Sequence, residues 1–185
     1  CGIKFSVKGL DNIPNTPCVI LSKHQSAWET FAFQTIFPPQ VWVLKRSLLL
    51  VPFFGWGLAM MNPIAIDRSS GSRALKQMLN QGKDRIKDGW HIIVFPEGTR
   101  TSPMKKVDYQ VGGAWLSAKL HSDILPVTHN AGEYWPKNAL LKKPGTINVV
   151  IGKPIKTGGK SPTDLIKQVE IWIETNMPRT SNQDI

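Results

Sequence analysis

The stretch Ser72–Arg100, SRALKQMLNQGKDRIKDGWHIIVFPEGTR, decides the architecture. Its first half sets Ala74, Leu75, Met78, Leu79 and Ile86 at the spacing of an amphipathic helix, and Gly89 supplies the stop. His91–Phe95 (HIIVF) then reads as a short buried strand, and Pro96, Gly98 and a polar cluster follow at once. Helix, stop, strand and polar loop make one unit of an α/β domain, in which such loops gather at the carboxyl edge of the sheet.

The same rhythm extends in both directions. Cys18–Ser22 (CVILS), Val41–Leu44 (VWVL), Ile124–Val127 (ILPV) and Thr146–Ile151 (TINVVI) read as further strands. Ser161-Pro162-Thr163-Asp164 is a helix start with a capping hydroxyl and proline at the first position. Leu165, Ile166, Val169, Trp172 and Ile173 form the apolar stripe behind it. No repeat or low-complexity segment interrupts the pattern. The expectation is a single α/β domain over residues 1–178, with a mostly parallel or mixed central sheet flanked by helices and a frayed tail over 179–185.

With 185 residues the chain suits one domain with a genuine core. Hydrophobic residues at 41% and charged residues at 19% exclude wholesale disorder. The net charge of +10 favours polyanionic partners such as lipid headgroups, phosphorylated substrates, acidic carrier proteins or nucleic acid. Nucleic acid is not expected, because no binding motif is present and basic and aromatic residues hardly interleave. Two cysteines, Cys1 and Cys18, do not make a disulfide framework. A start at cysteine suggests a piece of a longer protein.

Ser47–Ile66 (SLLLVPFFGWGLAMMNPIAI) departs from the rhythm by being almost free of charge. Its length suits a membrane span, yet Pro52, Gly55, Gly57, Asn62 and Pro63 interrupt it too often. It reads either as buried core with a turn, or as an apolar surface that enters the bilayer interface or lines an acyl-chain groove. Trp56 is its candidate interfacial anchor, whereas core packing is the default for the other tryptophans.

Candidate chemistry begins at His24, directly after the first clear strand. A histidine can take a proton from a hydroxyl when a carboxylate holds its other ring nitrogen. Glu29 can supply that hold if His24 lies at the strand exit and Glu29 in the first turn of a following helix, which Ser26 could cap. Cations follow other strand exits at Lys45-Arg46 and Asp67-Arg68. Around Gly98, backbone N–H groups, the Thr99 hydroxyl and the Arg100 guanidinium could hold a phosphate together. Ser26 and Cys18 are poor nucleophiles by position. His24, His91, His121 and His129 lack metal-ligand spacing, so no metal is expected.

HQSAWE, residues 24–29, resembles the His-x4-Asp block of the glycerolipid acyltransferases. VPFFGWG and PIAIDR are similar to the second block, FPEGTR matches the third, and ILPV resembles the fourth, all in family order. Glu29 stands where most members carry Asp. The resemblance implies a fatty acyl thioester of coenzyme A or acyl carrier protein as co-substrate, lysophosphatidic acid as acceptor, and no cofactor. It implies His24 as base, Glu29 as its holder, and Arg100, Lys45 and then Arg68 as phosphate ligands. Gly98 and Thr99 would support them, and Glu97 would orient that substrate-binding loop. Backbone N–H groups of Gln25 and Ser26 are candidate oxyanion donors. Glycerol 3-phosphate or another lyso-lipid as acceptor, or a non-catalytic lipid-binding relative, stays open. An anionic membrane surface at the cytoplasmic face of the inner (plasma) membrane is the expected location.

Overall fold

The computed structural model describes residues 2–103, 105 and 107–178. Cys1 and the 179–185 tail lie outside the described residues. The strands are β1 (Ile3–Lys8), β2 (Val19–Ser22), β3 (Gln40–Lys45), β4 (Ile64–Ile66), β5 (His91–Val94), β6 (Ile124–His129) and β7 (Gly145–Ile151). The helices are α1 (Trp28–Ile36), α2 (Phe54–Met60), α3 (Ser72–Lys87), α4 (Gly112–Leu120), α5 (Ala131–Tyr134) and α6 (Pro162–Asn176).

The strands form one sheet in the order β1-β7-β6-β2-β5-β3-β4. From β6 to β4 every neighbouring pair is parallel. β7 runs antiparallel to β6, and β1 follows β7 in parallel. The sheet is therefore mixed, within the expectation, and the carboxyl ends of β6, β2, β5, β3 and β4 share one edge.

Side-chain alternation sorts the buried strands onto two faces. Val19 and Leu21 of β2 join Val41, Val43, Ile92 and Val94 against Met78 of α3, Leu116 of α4 and Val169 of α6. Ile20, Trp42 and Ile93 point the other way, onto Trp28, Ala32 and Phe33 of α1. Helices thus cover both faces, as a parallel sheet requires. The predicted cap of α6 is present: Asp164 N–H donates to Ser161 Oγ at 3.1 Å, with Pro162 opening the helix. α3 carries its expected stripe, with Ala74 and Met78 buried and Leu75, Leu79 and Ile86 packed beside them.

The structure departs from expectation at four elements. β1 is an edge strand exposed along most of its length, so little alternation marks it. α4 opens on Gly112-Gly113, a poor helix signal. A Cβ at Gly113 would sit 2.6 Å from Leu21 Cδ2 and 3.2 Å from Val94 Cγ1, so close approach to the sheet explains the glycine. The apolar stretch Ser47–Ile66 contains both α2 and β4, and only Gly55 and Ile64–Ile66 of it are buried. Core packing therefore describes its end, while Leu50, Phe53, Trp56 and Met60 stand exposed. Among the described residues no helix is long and apolar enough to cross a membrane.

Candidate active site

His24 leaves the sheet two residues after β2, and Glu29 occupies the first turn of α1. His24 Nδ1 lies 2.7 Å from Glu29 Oε2. The other carboxylate oxygen, Oε1, accepts the Gln25 N–H at 2.8 Å and the Ser26 N–H at 2.7 Å. Glu29 thus folds back to satisfy the backbone before its own helix, where unpaired N–H groups cluster. Ser26 makes the local bond expected of it, its Oγ accepting the Trp28 N–H at 3.1 Å. The His24 ring stacks on Phe95 with centroids 3.8 Å apart, because β2 and β5 are neighbours in the sheet. That contact fixes the ring plane, and Glu29 fixes its rotation.

A second histidine, outside every sequence-based expectation of function, lies behind the pair. His129, at the carboxyl end of β6, is wholly buried with Nε2 3.3 Å from Glu29 Oε1 and 3.0 Å from the Lys23 carbonyl. Its Nδ1 accepts the Ala131 N–H at 3.2 Å. That bond assigns the ring hydrogen to Nε2, which donates to the Lys23 carbonyl.

Burial dominates the electrostatics. It pushes His24 down to about 4, helped by Arg100, Arg68 and Lys137 and opposed by Glu97. It pushes Glu29 up to about 7, while His129 and the two backbone N–H donors pull the carboxyl back toward its charged form. Near neutrality the imidazole is therefore uncharged, with Nδ1–H donating to Glu29 and Nε2 left to act on a hydroxyl.

Glu97 anchors the FPEGTR loop from within and is not among the residues that line the cavity. It is buried rather than turned to substrate: Oε1 lies 3.0 Å from Lys23 Nζ, and Oε2 accepts the Thr101 hydroxyl at 2.6 Å. Lys23, itself 1% exposed, also reaches Glu174 of α6 at 2.7 Å, and the Tyr109 hydroxyl donates to the same Glu174 oxygen at 2.9 Å. Thr101 N–H donates to the His24 carbonyl at 2.8 Å. A buried lysine between two carboxylates therefore ties β2, the loop and α6 together beneath His24. Glu97 thus stands where a loop-orienting residue would, and its partners Lys23 and Thr101 were not legible in the sequence.

Above these residues lies a cavity of about 760 Å³. Its polar lining includes His24, Lys45, Arg68, Gly98, Thr99, Arg100 and Lys137, and its apolar lining includes Phe53, Phe54, Leu58 and Met61. Every predicted substrate-binding residue except Glu97 therefore lines one cavity. Gly98 holds the loop turn with φ +70°, and the Arg68 guanidinium donates to its carbonyl. Lys137, missed in the sequence, donates to the Thr99 hydroxyl at 3.3 Å. Gln25 and Ser26 N–H are spent on Glu29, which removes them as oxyanion donors. Cys18 is buried at the opposite end of β2, where its Sγ lies 3.2 Å from His91 Nδ1.

A His–carboxylate pair at the carboxyl edge of an α/β sheet, its carboxylate buried and its imidazole facing a cavity lined by cationic and apolar side chains, defines an acyl-transfer type of site. Residues 4–130 match the Acyltransferase family model, and the chain belongs to that family. It is 48% identical over 183 residues to the 1-acyl-sn-glycerol-3-phosphate acyltransferase of Pseudomonas aeruginosa, covering 97% of this chain and 71% of that one. The Saccharomyces cerevisiae enzyme of the same name is 33% identical over 84% of this chain and 53% of its own. The crystal structure of the 1-acyl-sn-glycerophosphate (LPA) acyltransferase PlsC from Thermotoga maritima superposes with a TM-score of 0.81 at 25% identity, over 97% of this chain and 74% of that one. The chain thus spans about seven tenths of the bacterial relatives and about half of the yeast one.

Proposed function

We propose that the chain transfers a fatty acyl group from a thioester of coenzyme A or acyl carrier protein to the sn-2 hydroxyl of lysophosphatidic acid, giving phosphatidic acid. The observation that carries this is the His24–Glu29 pair, 2.7 Å apart, with His24 on the wall of a cavity lined by both cationic and apolar side chains. His24 Nε2 removes the hydroxyl proton as the oxygen attacks the thioester carbonyl carbon. The C–O bond forms and the C–S bond breaks. The departing thiolate then takes the proton from the His24 imidazolium, and no covalent enzyme intermediate is needed. Glu29 holds the tautomer and stabilises the imidazolium. Arg100, Lys45 and Arg68, joined by Lys137, face the acceptor phosphate.

The enzyme meets its lipid at a membrane. Phe53 and Phe54 line the cavity yet are 80% and 57% exposed, and Trp56 beside them is 61% exposed. A second apolar tip, Leu140-Leu141, stands out between Lys137, Lys142 and Lys143. Apolar side chains among cations suit an anionic bilayer, and the cytoplasmic leaflet also faces the thioester pool. Phosphatidylcholine vesicles with and without phosphatidylglycerol test this: Phe53→Ser with Trp56→Ser should weaken binding to the anionic set. Unchanged binding would place the contact elsewhere.

An acyl-transfer assay with lysophosphatidic acid, glycerol 3-phosphate and a panel of thioesters, read by product mass, tests the reaction. Phosphatidic acid as the main product supports the proposal; acylated glycerol 3-phosphate would reassign the acceptor, and no transfer would leave a lipid-binding protein.

A further inference from the structure

We infer that Thr101 is a positioning residue for acyl transfer, latching the turn Gly98–Arg100 to the backbone of His24 so that base and acceptor phosphate keep a fixed separation. The inference rests on the reading of His24 as the base and of this turn as a phosphate ligand. Its basis is a closed ring of three contacts. Lys23 Nζ lies 3.0 Å from Glu97 Oε1, and the Thr101 hydroxyl donates to Glu97 Oε2 at 2.6 Å. The Thr101 N–H donates to the His24 carbonyl at 2.8 Å. The peptide bond between Lys23 and His24 closes the ring. Glu97 and Thr101 bracket Gly98, Thr99 and Arg100, all three of which line the cavity. The turn is therefore tied at both its ends to the two residues that follow β2.

The fold shows what the latch replaces. β2 and β5 are parallel neighbours, and their paired register ends at Leu21↔Val94. Beyond it Phe95–Gly98 folds into a turn, closed by the Gly98 N–H on the Phe95 carbonyl at 3.0 Å. The sheet ladder thus stops short of both His24 and Arg100, and the Thr101 N–H rejoins the two segments. Thr101 is 4% exposed and the Glu97 side chain is wholly buried, so water does not compete for these bonds. A hydroxyl carries one hydrogen, and here it is spent on Glu97; the 3.3 Å approach of the same oxygen to the His24 carbonyl adds no second bond. Valine has nearly the same shape and keeps the backbone N–H, so it removes the hydroxyl donation alone. Glu97 then keeps Lys23 but no longer fixes residue 101, and the turn shifts against His24. General-base transfer needs the acceptor hydroxyl within hydrogen-bond reach, and a displacement of about 1 Å costs about 100-fold in rate.

The test is a double-mutant cycle on kcat/KM for lysophosphatidic acid, with Thr101→Val and Thr101→Ser each made in wild type and in Arg100→Ala. Thr101→Val should lower kcat/KM by about 10- to 100-fold in wild type. Once Arg100 is gone it should cost no more than about twofold, because the latch acts through the phosphate that Arg100 holds. Thr101→Ser, which keeps the hydroxyl, should restore most of the wild-type value. Equal losses from Thr101→Val in both backgrounds would overturn the inference, as would wild-type kcat/KM in Thr101→Val or equal losses in the Val and Ser variants. If Thr101→Val does not fold, Thr101→Cys, whose thiol is a weak donor, is judged by the same criteria. If the wild type acylates glycerol 3-phosphate instead, the cycle is run on that acceptor, which carries the same phosphate. Amide hydrogen exchange at Thr101 reports the latch without turnover. In a wild type with no transferase activity, exchange about tenfold faster in Thr101→Val sinks the proposed reaction and keeps the latch; equal exchange sinks the latch itself.

Discussion

Glu29→Asp probes how closely the site is built around the longer carboxylate. Glu29 spans 2.7 Å to His24 on one oxygen and 2.8 and 2.7 Å to two backbone N–H groups on the other. Removing one methylene withdraws the carboxylate by roughly 1.5 Å, one C–C bond. A hydrogen bond lengthened by that amount is no longer one, so a single carboxylate cannot keep both sets. If it stays with the amides, His24 loses its holder and kcat falls by about 10- to 100-fold. If it stays with His24, buried N–H groups of Gln25 and Ser26 lose their acceptor, costing about 1–3 kcal/mol each. The two together, about 2–6 kcal/mol, lower Tm in a domain of this size by roughly 4–24 °C. Steady-state kinetics and thermal denaturation on the same preparation measure both. Wild-type kcat together with wild-type Tm would refute the geometric reasoning.

Three further outcomes follow from the same geometry. Acidification should remove activity in two steps. Glu29, raised, loses its charge through about 7, and His24, lowered, takes up its proton only near 4, so a single full transition at 6.5 in the kcat profile would contradict the burial of the pair. Lys23→Met should destabilise the fold by about 3–5 kcal/mol in urea denaturation, because Glu97 and Glu174 lose their shared cation. Adding Glu97→Gln should recover part of that loss, and a cost below about 1 kcal/mol would remove the ion pair from the account. Arg100→Ala should raise KM for the acceptor more than for the thioester, and equal rises would detach it from the phosphate.

The sequence displays the parts of this molecule that repeat with a regular period. α3, α6 and the five central strands carry periodic apolar residues, and His24, Glu29 and the Gly98–Arg100 loop announce themselves by sitting at strand exits. β1 and α4 hide because edge exposure and a glycine pair weaken the local signal. His129, Lys23, Glu174 and Lys137 hide for another reason: their roles exist only once β6, β2, α6 and the loop after α5 converge. Nothing local distinguishes a buried histidine with a carboxylate partner from one packed among aromatics. The reading of Ser47–Ile66 needed the third dimension too, since a cavity wall and a core segment share one composition.

The central claim is that His24, held by Glu29, is the base. It is tested most directly by following thioester consumption with lysophosphatidic acid in wild type and folded His24→Ala. The account predicts that consumption in the variant drops to the uncatalysed rate while lipid binding persists; consumption at the wild-type rate would contradict it.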